Sequence, residues 1–267
     1  MIKKIFHTAD WHLRCYKRHE EFLESINLLI IEIKKENLEY DEGLICIAGD
    51  LFHQKDEISN EANLIMVRTL KRLLVLHKVI IIVGNHDVSQ NKERVDNITP
   101  LVAAIDSENL IYSKKSEILK INQIYFVHYC FMDNFAAPSF QKDSNYLYVG
   151  LYHDIIQYAK YPLNDYFEKK KKKSHSMELF DGCDVVLMGD IHFPQCIEKG
   201  GLKAYYAGSL YQQNIGESVN KHGFGIFDVA TKKYEFIELP NSYGFYKIKI
   251  KNLTDFQNNL EEITNIL

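Results

Sequence analysis

The chain lacks the features that would let covalent staples or a membrane account for its structure. Its five cysteines, Cys15, Cys46, Cys130, Cys183 and Cys196, are odd in number, widely spaced and never in a Cys-x-x-Cys pair. That argues against a disulfide framework or a zinc ribbon and for a reducing compartment. No apolar stretch reaches the roughly 18 residues needed to span a bilayer, and the N-terminal MIKKIFHTADWH turns polar after six residues. No membrane association is expected, and the location expected is the cytoplasm, or the nucleus of a eukaryote. Net basic charge is also missing: 32 Lys and Arg against 36 Asp and Glu leave −4, so any contact with nucleic acid has to be local. One low-complexity segment, Lys169–Lys173, reads as a solvated loop, with a phosphate-backbone contact as its alternative.

What is present is ordinary globular composition, 46% hydrophobic and 25% charged over 267 residues, which favours one large domain with a small appendage. Residues 1–240 are expected to form the domain and 241–267 a C-terminal extension. Apolar residues at Phe22, Ile26, Leu29, Ile30 and Ile33 predict a helix between Arg18 and Asn37, and Ser59 is the expected N-cap of a second helix. Val95–Ile105 reads as a shorter helix. Strands are predicted at Ile2–Thr8, in LICIAGDLFH (Leu44–His53), and at Val79–Val83, Ile118–Ile121, Ile124–His128, Leu147–Tyr152, Asp184–Met188, Tyr205–Ala207, Phe224–Phe227 and Tyr234–Leu239, and a further strand and helix from Phe245 to Ile266. The first half is a series of β-α-β units, which favour parallel pairing with a right-handed crossover.

Polar residues collect where the apolar runs stop: Asp10 and His12, Asp50, Asn85 and His86, His153, then Asp190 and His192. Taken singly, Asp or Asn after glycine at a strand end is a turn former or a helix N-cap. Together they make a set of oxygen and imidazole donors without thiolate, which suits manganese, iron or zinc better than calcium. The Asp-x-His spacing lets both side chains leave one side of an extended backbone. Two ions roughly 3.5–4 Å apart need a carboxylate that reaches both, and Asp50, on the most apolar strand, is the expected bridge. His86 is then free to contact a phosphate or protonate a leaving oxygen. Asp87 is expected to hold that imidazole in one tautomer. His7 reads as a core residue; His19, His77 and His175 read as surface positions; Trp11 reads as packing, with base stacking as its alternative.

The motifs DWH, GDLFH, GNHD and GDIH, in that order, resemble the calcineurin-like metallophosphoesterase superfamily. Within it, GDLFHQKDEIS and AYYAGSLYQQNIGE followed by HGF are similar to the SbcD and meiotic-recombination type of DNA repair nuclease subunit. The resemblance implies an α/β layered fold of two facing mixed β-sheets flanked by helices. It implies two Mn2+ (or Mg2+), one held by Asp10, His12, Asp50 and His192 and the other by Asp50, Asn85, His153 and Asp190. His86 would be the unligated catalytic histidine and His53 would lie near the substrate. His128 competes with His153, and Asp190 stands where a histidine is commoner, as a ligand or only beside one. Tyr211 and Gln212 are substrate-side candidates.

The implied function is manganese-dependent hydrolysis of DNA by water activated between the ions, in a homodimer with an ABC-type ATPase subunit of the SbcC class. Alternatives are a phosphatase or small-molecule phosphodiesterase, or a noncatalytic adaptor. NSYGFYKIKI resembles the start of a capping domain, so the chain is expected to be a fragment or a minimal version.

Overall fold

In the computed structural model the described residues are 1–89, 91, 94–160 and 174–245, with Thr254, Gln257 and Leu260 beyond them. The lysine run and almost all of the predicted C-terminal strand and helix lie outside the described residues. The first half alternates β1 (Lys4–Thr8), α1 (His19–Lys35), β2 (Gly43–Ile47), α2 (Asn60–Leu74), β3 (Lys78–Ile82), α3 (Thr99–Ile105) and β4 (Leu110–Ser113). The second half is strand-rich: β5 (Glu117–Ile121), β6 (Ile124–Tyr129), β7 (Leu147–His153), β8 (Val185–Gly189), β9 (Gln195–Lys199), β10 (Leu202–Tyr206), β11 (Gly223–Asp228) and β12 (Lys233–Glu238).

The strands form two six-stranded mixed sheets, in the orders β12-β11-β1-β2-β3-β4 and β5-β6-β7-β8-β10-β9. In the first, β1 to β4 run parallel and β11 and β12 antiparallel to their neighbours. In the second, β6, β7, β8 and β10 run parallel, with antiparallel β5 and β9 at the edges. Side-chain alternation explains why the central strands read as unbroken apolar runs. Ile45, Ile47, Val79 and Ile81 face the helices, packing with Phe22, Ile26, Met66 and Leu70. Leu44, Cys46, Ile80 and Ile82 face the other sheet and meet Phe126, Val149, Leu151 and Leu187. The second sheet's outer face carries Tyr129, Tyr152, Met188 and Tyr206, covered by Met177 and Phe180 from a loop. Helices α1, α2 and α3 lie on the first sheet. Among the described residues no helix is long and apolar enough to cross a membrane.

Local chemistry sets the helix limits. Ser59 Oγ accepts from Ala62 N at 3.1 Å and caps α2 as expected. α3 starts at Thr99 rather than Val95 because the Asp96 carboxylate accepts from Ile98 N and Thr99 N (3.0 and 2.8 Å) and holds a turn there. His7 is buried as expected, its Nδ1 3.0 Å from the Tyr234 hydroxyl, and Tyr234 stacks on Tyr205 with ring centroids 4.0 Å apart. Three histidines correct the surface expectation. His77 is buried, stacked on Phe6, with Nδ1 donating to Tyr40 O at 2.9 Å. His19 and His175 are half-buried and bonded to Arg14 O (2.7 Å) and the Tyr152 hydroxyl (2.8 Å).

Candidate metal centre

The loops after β1 and β2 stay paired beyond the strands. Ala48 N donates to Thr8 O (2.8 Å), Asp10 N to Gly49 O (3.1 Å), His12 N to Asp50 O (3.0 Å), Leu13 N to Leu51 O (2.9 Å) and His53 N to Leu13 O (3.0 Å). This ladder holds Asp10, His12 and Asp50 in the left-handed region, at φ 53°, 46° and 58°, and Asp190 sits at 86°. Such conformations cost about 1–3 kcal/mol each and persist where surrounding structure fixes them, as at functional sites.

Two glycines make room for the cluster. A Cβ on Gly49 (φ +88°) would meet His153 Nδ1 at 2.5 Å, and one on Gly84 would meet Asp50 N and Oδ1, both at 2.2 Å. Asp87 organises the same turn from beneath. Its carboxylate accepts from Asp50 N (2.8 Å), Gly84 N (2.9 Å), Leu51 N (2.9 Å) and Phe52 N (3.4 Å). This corrects the expected partnership with His86, whose Nδ1–H instead donates to His53 O at 2.7 Å. Consecutive residues of a turn point their side chains apart, and a backbone carbonyl does the orienting.

The donors converge on Asp50. His86 N donates to Asp50 Oδ1 at 2.7 Å, His153 Nε2 lies 3.3 Å from Oδ1, and His12 Nε2 lies 3.6 Å from Oδ2. Ala48 O, which can only accept, takes the Nδ1–H of His153 at 2.6 Å, so a neutral His153 turns its Nε2 lone pair to the carboxylates. His192 gives its Nδ1–H to Glu217 Oε1 at 2.7 Å, and its Nε2 faces His12 Nε2 at 2.9 Å. Asp190 accepts from Asn85 Nδ2 at 2.6 Å and lies 4.0 Å from His153 Nε2. Its backbone N–H donates to Asp10 at 3.0 Å. Three triads each bring their donor atoms within 4.8 Å of one another: Asp10, His12 and His192; Asp10, Asp50 and His153; and His12, His53 and His86.

These residues fit a pair of divalent cations. Asp10 Oδ2 is buried with no hydrogen-bond partner, and His153 Nε2 makes no aligned hydrogen bond although Asp50 Oδ1 lies 3.3 Å away, which is costly unless something absent from the protein chain satisfies them. The electrostatics agree. Burial pushes the Asp10 carboxyl up to about 7 against the pull of His153 and His192. At Asp50 burial is outweighed by His153 and His12, and the carboxyl stays well below the usual range. Burial also opposes charge on His153 and His192, yet Asp50 drives His153 upward, and Glu217 with Asp10 raises His192 to about 9. Without a cation the carboxylates draw protons onto the imidazoles, and ions entering the cluster would release them.

The fold therefore brings together Asp10, His12, Asp50, His153 and His192, with Asn85 and Asp190 bonded to each other beside them. His53 and His86 stack at the edge, 5.7 Å between centroids. His128 lies elsewhere, buried with Nδ1 2.7 Å from Ser113 Oγ. Trp11 is fully buried with its indole N–H on Thr8 Oγ1 at 2.8 Å, so it packs and does not stack on a base. Tyr211 and Gln212 are also fully buried. Arg18 covers the Tyr211 ring at 4.8 Å, and Gln212 bonds Glu217 O and the backbone of Phe245. Neither offers an exposed surface to a substrate, which corrects the substrate-side expectation. Glu217 escapes sequence reasoning; its only signal is membership of the AYYAGSLYQQNIGE stretch, 25 residues from the imidazole it orients.

Comparison with known proteins gives the family. Residues 3–194 match the model of the calcineurin-like phosphoesterase family. An uncharacterized protein of Acanthamoeba polyphaga mimivirus is 32% identical over 260 residues, 93% of this chain and 19% of that protein. The SbcD subunit of the SbcCD nuclease from Staphylococcus epidermidis is 26% identical over 258 residues, 86% of this chain and 67% of that protein. A solved structure described as a novel archaeal phosphodiesterase is 16% identical with a TM-score of 0.46, covering 88% of this chain and 99% of its own. The chain thus spans about a fifth of the viral relative's length. With its two mixed sheets, its acid and imidazole donors at the strand ends and a family match over most of its length, the chain belongs to the calcineurin-like phosphoesterases.

Proposed function

We propose that the chain hydrolyses phosphodiester bonds of DNA with manganese, as the nuclease subunit of a double-strand-break repair or recombination complex. The observation that carries the reading is the set of buried, partnerless donor atoms facing Asp50, with the His53–His86 pair beside them. Asp10, His12, Asp50 and His192 would hold one ion and Asp50, Asn85, His153 and Asp190 the other. When bound, such ions activate water and neutralise charge on the phosphate. The carboxylate at Asp190, in place of an imidazole, favours manganese or magnesium over zinc.

The protein's own groups supply the rest. His53 O takes the His86 Nδ1–H, so Nε2 is the ring atom left for the substrate, and in the imidazolium form it would donate a proton to the leaving 3′ oxygen or a hydrogen bond to the phosphate. His12 stands edge-on to His86, centroids 4.8 Å apart, and limits its rotation. Likeness to the SbcCD nuclease subunit over 86% of the chain supports DNA as substrate. An ABC-type ATPase partner of the SbcC class goes with that likeness, a homodimer is part of the same proposal, and the end of β12 at Glu238 suits a domain that closes near residue 240.

The test is cleavage of linear DNA against a nitrophenyl phosphate monoester, both with Mn2+. DNA cleavage that is lost in Asp50→Ala and His86→Ala is expected. Strong monoester turnover without DNA cleavage would overturn the nuclease reading.

A further inference from the structure

Two basic side chains reach the mouth of the centre without any role in the ligand set. Lys55 Nζ donates to Asn85 Oδ1 at 3.3 Å. Its position is set by the backbone: Asn97 Nδ2 donates to Gln54 O and Lys55 O, both at 3.2 Å. Arg14 follows Leu13, which is bridged to Phe52 and accepts from His53 N at 3.0 Å. One Arg14 nitrogen, Nη2, donates to Gln213 O at 3.0 Å, while Nε is buried with no partner. Beside it, His53 Nδ1 is also buried and partnerless.

We propose that Lys55 and Arg14 form a phosphate-binding pair, Lys55 on the phosphate being cleaved and Arg14 on a neighbouring phosphate of the same strand. The substrate class is then a polynucleotide rather than an isolated phosphodiester; the proposal rests on the phosphodiester reading above. The chemistry divides between the two cations. Lys55 is a compact charge on a flexible stem. Once Asn85 Oδ1 is engaged by a cation, its ammonium is released within reach of the same phosphate. Arg14 is half-buried and anchored through Nη2, and Nη1, the guanidinium nitrogen with neither a hydrogen bond nor burial, is the donor a phosphate oxygen would take. A protein with net charge −4 has no general basic field, so local cations have to provide this grip.

The test uses the full chain with K55M, K55R, R14Q and R14K. Binding of a fluorescein-labelled phosphorothioate oligonucleotide of about twelve nucleotides, within the span one domain contacts, is followed by anisotropy with Mn2+ across a salt series. Hydrolysis of bis(p-nitrophenyl) phosphate, a single diester, is followed in parallel. R14Q is expected to weaken oligonucleotide binding about tenfold and flatten the salt slope by about 0.7, one phosphate contact. It should leave KM for the small diester unchanged. K55M should raise KM for that diester about tenfold with little change in kcat. K55R and R14K should keep the wild-type salt slope, and Mn2+ binding by electron paramagnetic resonance should be unchanged in R14Q and R14K. Wild-type slope and affinity in R14Q, together with a wild-type KM for the small diester in K55M, would overturn the pair while leaving the nuclease reading in place. A wild-type protein that neither binds nor cleaves the oligonucleotide would overturn both.

Discussion

Glu217 fixes the proton of His192 through a 2.7 Å contact and is itself held by Gln213 N at 2.7 Å and by Asn214 Nδ2 at 2.5 Å. Partners of this kind tune metal affinity by about 10–100-fold. Glu217→Ala is therefore expected to weaken Mn2+ binding within that range in a titration followed by electron paramagnetic resonance, and Glu217→Gln, which keeps an acceptor, to recover most of it. Asp87→Asn tests another residue that touches no substrate. The amide would set an N–H donor against backbone N–H groups, costing about 1–3 kcal/mol in urea unfolding. Most ligand candidates are legible because they follow an apolar run in a recurrent Gly-Asp, Gly-Asn or Asp-x-His pattern, and His153 only because it ends such a run. The role of Asp87 is not, because adjacency to His86 in sequence says nothing of side-chain direction. Tyr211 and Gln212 look like exposed loop residues until Arg18 and Phe245, distant in sequence, close over them.

At the level of elements, the strand ends matter more than the strands. Carboxyl ends of parallel strands are where open α/β sheets bind ligands, and β1, β2, β3, β7 and β8 each deliver donors there. Close approach of these loops makes the glycines irreplaceable. Gly84→Ala would drive a methyl group into Asp50 N and Oδ1. Such overpacking costs about 1–3 kcal/mol, and the shift of Asp50 should abolish tight Mn2+ binding, both measurable on one preparation by thermal melting and metal titration. Helices and buried strands are readable from periodicity. β4 and β9 are not, since four residues in one case and polar alternation in an edge strand in the other carry little apolar signal.

For the whole molecule the prediction concerns pH. His192 is raised to about 9 without metal, so its ion pair with Glu217 stabilises the fold fully below its unfolded value near 6.5 and is lost as pH rises to about 9. Asp10, an acid raised to about 7, opposes stability increasingly from about pH 4 up to 7 for the same reason. Buried histidines held down, such as His7 and His128, add stability as pH rises through 6.5, so the metal-free protein should melt at falling temperature from about pH 7.5 to 9 in differential scanning fluorimetry. Bound cations replace those protons, and saturation at about 100 times Kd adds about 2.7 kcal/mol, so the melting gap between Mn2+-loaded and metal-free protein should widen over the same interval. A constant gap would mean that ions do not compete with protons at this cluster.

Two cations sharing Asp50 are central to the chemistry proposed for this protein, and anomalous diffraction at the manganese edge from crystals grown with Mn2+ addresses them directly. Two peaks are expected on either side of the Asp50 carboxylate, one against Asp10, His12 and His192 and the other against Asn85, His153 and Asp190. A single peak, or peaks remote from Asp50, would contradict the shared-carboxylate centre.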